Sequence, residues 1–153
     1  GDVGAPSVVV DYAHTPDALQ SALQALRAHL GDAGKLWCVF GCGGERDTGK
    51  RAEMARAAEQ LADRIVVTDD NPRNESAAQI REQILSGFST VVQPIEIAER
   101  REAVAAAIQQ AGAQDVVLIA GKGHEAYQEI QGVRHPYADS EEIQRAFAQR
   151  KAQ

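Results

Sequence analysis

The chain has 153 residues, 44% hydrophobic and 25% charged, which is the size and balance of one globular domain with a sizeable core. A formal net charge of −6 argues against a general nucleic-acid partner, because no excess of cations exists to neutralise phosphates. No apolar run is long enough to span a membrane, no secretory signal opens the chain, and Cys38 and Cys42 are too few for a metal site or disulfide framework, so a reducing cytoplasm is the expected setting.

Gly1 to Ser7 reads as loop, a linker to a larger protein. Ser7 to Ala13 reads as a buried strand running out into polar residues. Thr15, Pro16 and Asp17 then start a helix as N-cap, first-turn proline and dipole-compatible acid. Leu19, Leu23, Leu26 and Leu30 recur at helical spacing until Gly31. Lys35 to Phe40 is a second strand. A loop from Gly41 to Gly49 leads to a helix with Met54, Ala58 and Leu61 on one stripe. Ile65 to Thr68 is the third strand, followed by Asp69-Asp70-Asn71-Pro72-Arg73 and a helix carrying Ile80, Ile84 and Phe88, with Ser76 and Gln79 at capping-box spacing.

Val91 to Ile97 reads as a further strand that Pro94 weakens or confines to an edge. Arg100 to Gln110 is an alanine-rich helix with Val104 and Ile108 inward. Asp115 to Ala120 is a strand running into Gly121-Lys122-Gly123-His124-Glu125. Tyr127 to Ile130 and Val133 to Tyr137 suggest a hairpin across Gln131-Gly132, and Asp139 or Ser140 caps a last helix with Ile143 and Phe147 inward. Strands alternate with helices nearly throughout. The expectation is a single doubly wound, Rossmann-like α/β domain, its sheet mostly parallel with an antiparallel edge hairpin.

Four loops then share one sheet edge: Tyr12 to Thr15, Gly41 to Lys50, Thr68 to Arg73 and Gly121 to Glu125. Ligands bind at that edge in open α/β sheets. Pro72 pushes Asn71 out of the helical region and keeps its loop extended, and Arg73 offers a planar fork suited to a carboxylate or phosphate. Gly44 to Arg51 nearly matches a P-loop, but Arg51 stands where the Mg²⁺-binding hydroxyl belongs. Arg46 is a second candidate for a carboxylate, or else a surface arginine paired with Asp47. The glycines of Gly121 to Glu125 would let a ligand meet bare backbone, and Glu125 could accept an ammonium or simply be exposed on a tight turn. His14 could touch a nucleotide or cap the helix, and has no metal partner at suitable spacing. No Ser or Cys stands beside a His, so no nucleophile is evident.

The ordered set Asp11-Tyr12-Ala13-His14-Thr15-Pro16-Asp17, Phe40-Gly41-Cys42-Gly43-Gly44-Glu45-Arg46-Asp47, Asp70-Asn71-Pro72-Arg73 and Ala120-Gly121-Lys122-Gly123-His124-Glu125 resembles the C-terminal domain of the Mur ligases. Within that family it is most similar to the members that add meso-diaminopimelate to UDP-N-acetylmuramoyl-L-alanyl-D-glutamate, for which Asp-Asn-Pro-Arg is the marker. The resemblance implies a three-domain, cytoplasmic, ATP- and Mg²⁺-dependent amide ligase of peptidoglycan precursor synthesis. The UDP-binding and central ATPase domains would lie outside this chain. This domain would bring the amino acid, hold no metal, contribute no catalytic residue of its own and be inactive alone. Arg46 and Arg73 would bind carboxylate with Asn71 beside them on the Pro72-stiffened loop. Gly121 and Glu125 would meet the far amino-acid centre, Asp11 and His14 would face the ATP, and Asp70 would hold Arg73 or orient the loop. Two other readings are a non-catalytic small-molecule-binding module and a related ligase such as folylpolyglutamate synthetase, which lacks the tetrapeptide.

Overall fold

The structure, a computed structural model, describes residues 4–152. Of the expected linker, residues 1–3 lie outside the described residues, as does Gln153. In chain order the elements are β1 (Ser7–Asp11), α1 (Pro16–Leu30), β2 (Leu36–Phe40), α2 (Gly49–Leu61), β3 (Arg64–Val67) and α3 (Ala77–Leu85). They continue as β4 (Ile95–Glu96), α4 (Arg100–Gln110), β5 (Val116–Ala120), β6 (Tyr127–Ile130), β7 (Val133–Pro136) and α5 (Asp139–Ala152). Five strands form one parallel sheet in the order β1-β5-β2-β3-β4.

Alternation along the strands divides the core between two faces. Leu36, Cys38 and Phe40 of β2 pack with Leu19 and Leu23 of α1, Met54 and Ala58 of α2, and Ile80 and Ile84 of α3. Trp37 and Val39 turn the other way, onto Val104 and Ile108 of α4 and Ala146 of α5. The crossovers after β1, β2 and β3 therefore lie on one face, while α4 returns on the other and inserts β5 between β1 and β2. A crevice opens at the carboxyl ends where neighbouring strands send their chains to opposite faces.

The caps read from the sequence form. Thr15 Oγ1 accepts from Ala18 N, Ser76 Oγ accepts from Gln79 N, and Gly31 ends α1 at φ +73°. Two strands, β1 and β4, are shorter than expected by more than one residue. β1 stops at Asp11, because the Asp11 carboxylate accepts from Ala13 N at 2.7 Å and turns the chain out of the sheet. β4 is only Ile95–Glu96: Val91 is exposed, and Pro94 brings no N–H to a ladder.

The hairpin turns at Gln131 (φ +50°) and Gly132 (φ +77°), as a two-residue type I′ loop requires. It stands as a two-stranded antiparallel sheet of its own, joined to the loop after β3 by an isolated bridge between Ile130 and Arg73 and by a bond from Gln128 Nε2 to Asp70 O. Asp139 does not spend its carboxylate on capping. The group is buried and accepts from Arg100 and from the Tyr137 hydroxyl.

Candidate functional site

The four loops meet at the carboxyl rim around a cavity of about 340 Å³. Its wall includes Arg46, Lys50, Arg51, Asn71, Arg73 and Glu125. The loop after β3 forms one side. Pro72 and Asn71 are buried, and Arg73 departs from the expected extended course, with φ +54°. A left-handed arginine costs about 1–2 kcal/mol. It is held by backbone bonds from Arg73 N to Glu129 O and from Gln131 N to Arg73 O, so the hairpin sets its conformation. Arg73 Nη1 donates to Gly44 O at 2.9 Å, and its ion pair is with Glu129 at 3.9 Å. Asp70 does not hold Arg73. Its carboxylate lies 3.3 Å from the Lys122 ammonium instead.

The loop after β2 packs directly on this one. Gly44 N donates to Asn71 O, and a Cβ at Gly44 would stand 1.8 Å from Pro72 O. A Cβ at Gly43 would meet Arg73 Nη1 at 2.8 Å and Arg46 Cγ at 3.6 Å, so the two arginines flank the same bare backbone. Gly44→Ala is expected to destabilise the domain by about 1–3 kcal/mol, since both loops must part. Urea unfolding checks this, with Gly112→Ala, whose Cβ would only touch Asp115 at 3.7 Å, as the near-neutral control.

Arg46 is exposed and makes no ion pair among the described residues, and Asp47 accepts instead from Gly49 N. The near match to a P-loop serves another purpose. Arg51 is 1% exposed and reaches back under the loop to Gly43 O, Gln83 and both oxygens of Glu75, while its Nε is buried without a partner. Cys42 also lines the cavity, but burial first, then the charge of Asp70, pushes its thiol up to about 12 against the opposing pull of Arg51. It is no thiolate nucleophile at neutral pH.

The loop after β5 closes the far side. Gly121 takes φ +116°, and a Cβ there would meet Asp70 Oδ2 at 2.6 Å. Gly123 takes φ +55° beneath the Tyr12 ring, which also meets His124 edge-on. Lys122 is fully buried. Its ammonium donates to Asn71 Oδ1 at 2.7 Å, to Tyr127 O at 2.8 Å and to Glu125 at 3.3 Å. Glu129 N also donates to Asn71 Oδ1. Two donors on that oxygen fix the amide orientation, so Asn71 Nδ2 is the group directed at Glu125. His14 Nδ1 lies 2.8 Å from Tyr12 O, and Thr15, not His14, caps the helix. His14 lines the cavity; Asp11, at the β1 terminus, does not.

Beneath the rim lies a strut absent from the sequence reading. Arg100 is fully buried and donates to both Asp139 oxygens at 2.9 Å, to Ala120 O and to Asp69 O, joining the ends of β3 and β5 to α5. A cation at a helix N-terminus opposes the macrodipole, and that was the one available hint. Among the described residues no group of three His, Cys, Asp or Glu side chains is disposed to hold a metal, and no helix is long and apolar enough to cross a membrane. The cavity is lined instead by Arg46 and Arg73 together with Asn71 and Glu125, a set of groups complementary to a zwitterion carrying carboxylate and ammonium.

The chain belongs to the family of the Mur ligase, glutamate ligase domain, whose model matches residues 1–123. Within that family it is similar to the UDP-N-acetylmuramoyl-L-alanyl-D-glutamate–2,6-diaminopimelate ligase of Pseudomonas aeruginosa, 57% identical over 94% of this chain and 29% of that protein. A solved structure of a UDP-N-acetylmuramoyl-L-alanyl-D-glutamate–2,6-diaminopimelate ligase superposes with a TM-score of 0.88 at 48% identity, over 94% of this chain and 29% of the other. A bifunctional folylpolyglutamate synthase/dihydrofolate synthase, solved with Mn, AMPPNP and L-glutamate bound, is a weaker neighbour. Its TM-score is 0.59 at 25% identity, over 76% of this chain and 26% of the other. The chain spans under a third of the length of the curated relatives it matches, 28–30%.

Proposed function

We propose that this chain is the amino-acid-binding C-terminal domain of a cytoplasmic ligase that joins meso-diaminopimelate to UDP-N-acetylmuramoyl-L-alanyl-D-glutamate in peptidoglycan precursor synthesis. The observation that carries the reading is that Arg46 and Arg73 flank Gly43 and line one cavity with Asn71 and Glu125 at the carboxyl rim. The identity to diaminopimelate-adding relatives and the Asp-Asn-Pro-Arg loop favour it over a folylpolyglutamate synthase.

Arg46 and Arg73 would take a carboxylate, with Asn71 Nδ2 as a further donor, while Glu125 and the bare backbone of Gly121 would take an amino-acid centre. Lysine lacks the second carboxylate and would leave Arg73 desolvated without its partner, which discriminates strongly. Among the described residues no cluster of side chains suits Mg²⁺, so that ion would sit with ATP on the central ATPase domain of the full-length enzyme. MgATP there supplies the phosphoryl group that activates the acceptor carboxylate. This domain then orients the attacking amine, with His14 on the side from which the nucleotide would approach.

Two measurements test this. The chain alone is expected to show no ATP-dependent ligation, and turnover of UDP-muramoyl dipeptide, ATP and diaminopimelate by the purified chain would overturn that. Calorimetry of the chain with meso-diaminopimelate, L-lysine and ATP is expected to rank diaminopimelate above lysine. Equal affinities would remove the specificity argument.

A further inference from the structure

We infer that Glu75 and Glu45 are positioning residues that set the spacing of the two carboxylate-binding arginines; this rests on the reading of the cavity given above. The two loops are strapped together reciprocally at the residues next to those arginines. Glu45, which precedes Arg46, accepts from Asn74 N and Asn74 Nδ2. Asn74 follows Arg73. Glu75 in turn accepts from Glu45 N, while both its oxygens hold the buried Arg51 guanidinium at 3.0 Å. Arg51 adds Gly43 O on the first loop and Gln83 on α3.

Both residues flanking the strap are left-handed without being glycine, Glu45 at φ +58° and Arg73 at φ +54°. Such backbone persists only where neighbouring bonds over-determine it, and here those bonds are the strap and the hairpin. The side chains of Arg46 and Arg73 leave the chain from either side of it. Glu75→Gln leaves one acceptor oxygen and sets an amide N–H against the guanidinium, so Arg51 loses its two-oxygen grip and the bond from the Glu45 amide weakens. The arginines then lose a defined separation without losing a guanidinium.

Steady-state kinetics of the full-length enzyme separate this from simple structural weakening. Glu75→Gln is expected to raise KM for meso-diaminopimelate about tenfold, because misplacement of a binding pair by an ångström or less is enough. kcat and KM for ATP stay within about twofold. The low kcat/KM for L-lysine, which brings no second carboxylate for the pair, stays unchanged. Glu45→Ala, which removes the acceptor for Asn74 and leaves Arg51 paired, is expected to move the same parameter in the same direction by less. Thermal unfolding shows that both variants are folded at the assay temperature. Arg73→Ala is run alongside. If it loses diaminopimelate while Glu75→Gln and Glu45→Ala are both neutral, the inference is wrong and the cavity reading stands. If diaminopimelate and lysine kinetics fall in parallel, the strap is merely structural. If Arg73→Ala is itself neutral, the cavity reading fails and takes the inference with it.

Discussion

Asp139→Ala is expected to destabilise the domain by about 3–5 kcal/mol, because it strands the Arg100 guanidinium as an uncompensated buried charge. Both side chains of the pair are fully buried, and the carboxylate also accepts from the Tyr137 hydroxyl at 2.7 Å. The loss propagates to the rim, since Arg100 also ties down Ala120 O and Asp69 O at the ends of β5 and β3. Denaturant unfolding measures it, and a change below about 1 kcal/mol would show that water reaches the pair and screens it. The pair carries a pH signature. Burial alone would raise the Asp139 carboxyl, but the hydrogen bonds and charge of Arg100, with the Tyr137 hydroxyl, outweigh it and hold it below the usual range. A depressed folded-state value contributes stability that is present above the unfolded value, about 3.9, and lost as pH falls through the folded one. Glu75 acts in the same sense, through its hydrogen bonds to Arg51. The domain is therefore expected to lose stability on acidification below about pH 4, with a shallower loss in Asp139→Asn.

Arg73→Ala in the full-length enzyme is expected to lower kcat/KM for meso-diaminopimelate by at least about tenfold, with ATP affinity nearly unchanged. A charge-assisted bidentate contact is worth about 1.5–3 kcal/mol net, and the substrate carboxylate would be left desolvated. Arg73→Lys should rescue only in part: an ammonium cannot donate to Gly44 O and grip a carboxylate in one plane as the fork can. Kinetics with each substrate varied in turn decide the matter. A kcat/KM within about twofold of wild type would make Arg73 a loop-bracing residue whose job ends at Gly44.

Much of the site was legible because each loop follows an apolar strand, and strands end where ligands bind in this architecture. Arg46, Asn71, Arg73, Gly121 and Glu125 could thus be gathered onto one rim from their order alone, and the structure brings all five to one cavity. The roles of Lys122 and Arg51 are not legible in the sequence, where Arg51 shows only as the residue that spoils a P-loop. A lysine between two glycines and an arginine after a near P-loop look solvent-bound until their partners are known, and both are buried. Of the two roles expected for Asp70, holding Arg73 or orienting the loop, the first fails, because its partner is Lys122 on another strand's loop.

Local chemistry determined the elements: apolar periodicity, the hydroxyl caps at Thr15 and Ser76, the glycine stop at Gly31 and the Gln131-Gly132 turn each act within a few residues. The sequence by itself therefore settled the alternation of strands and helices, the two-faced core and the loops that carry the cavity. Tertiary structure alone decided which charges meet. Lys122 reaches Asn71 across 51 residues, Arg100 reaches Asp139 across 39 and Arg51 reaches Glu75 across 24. Those pairings depend on β5 entering the sheet between β1 and β2, which brings its loop within reach of the one after β3. Sheet order follows from how whole faces pack, and a buried charge is tolerable only where that packing delivers its partner.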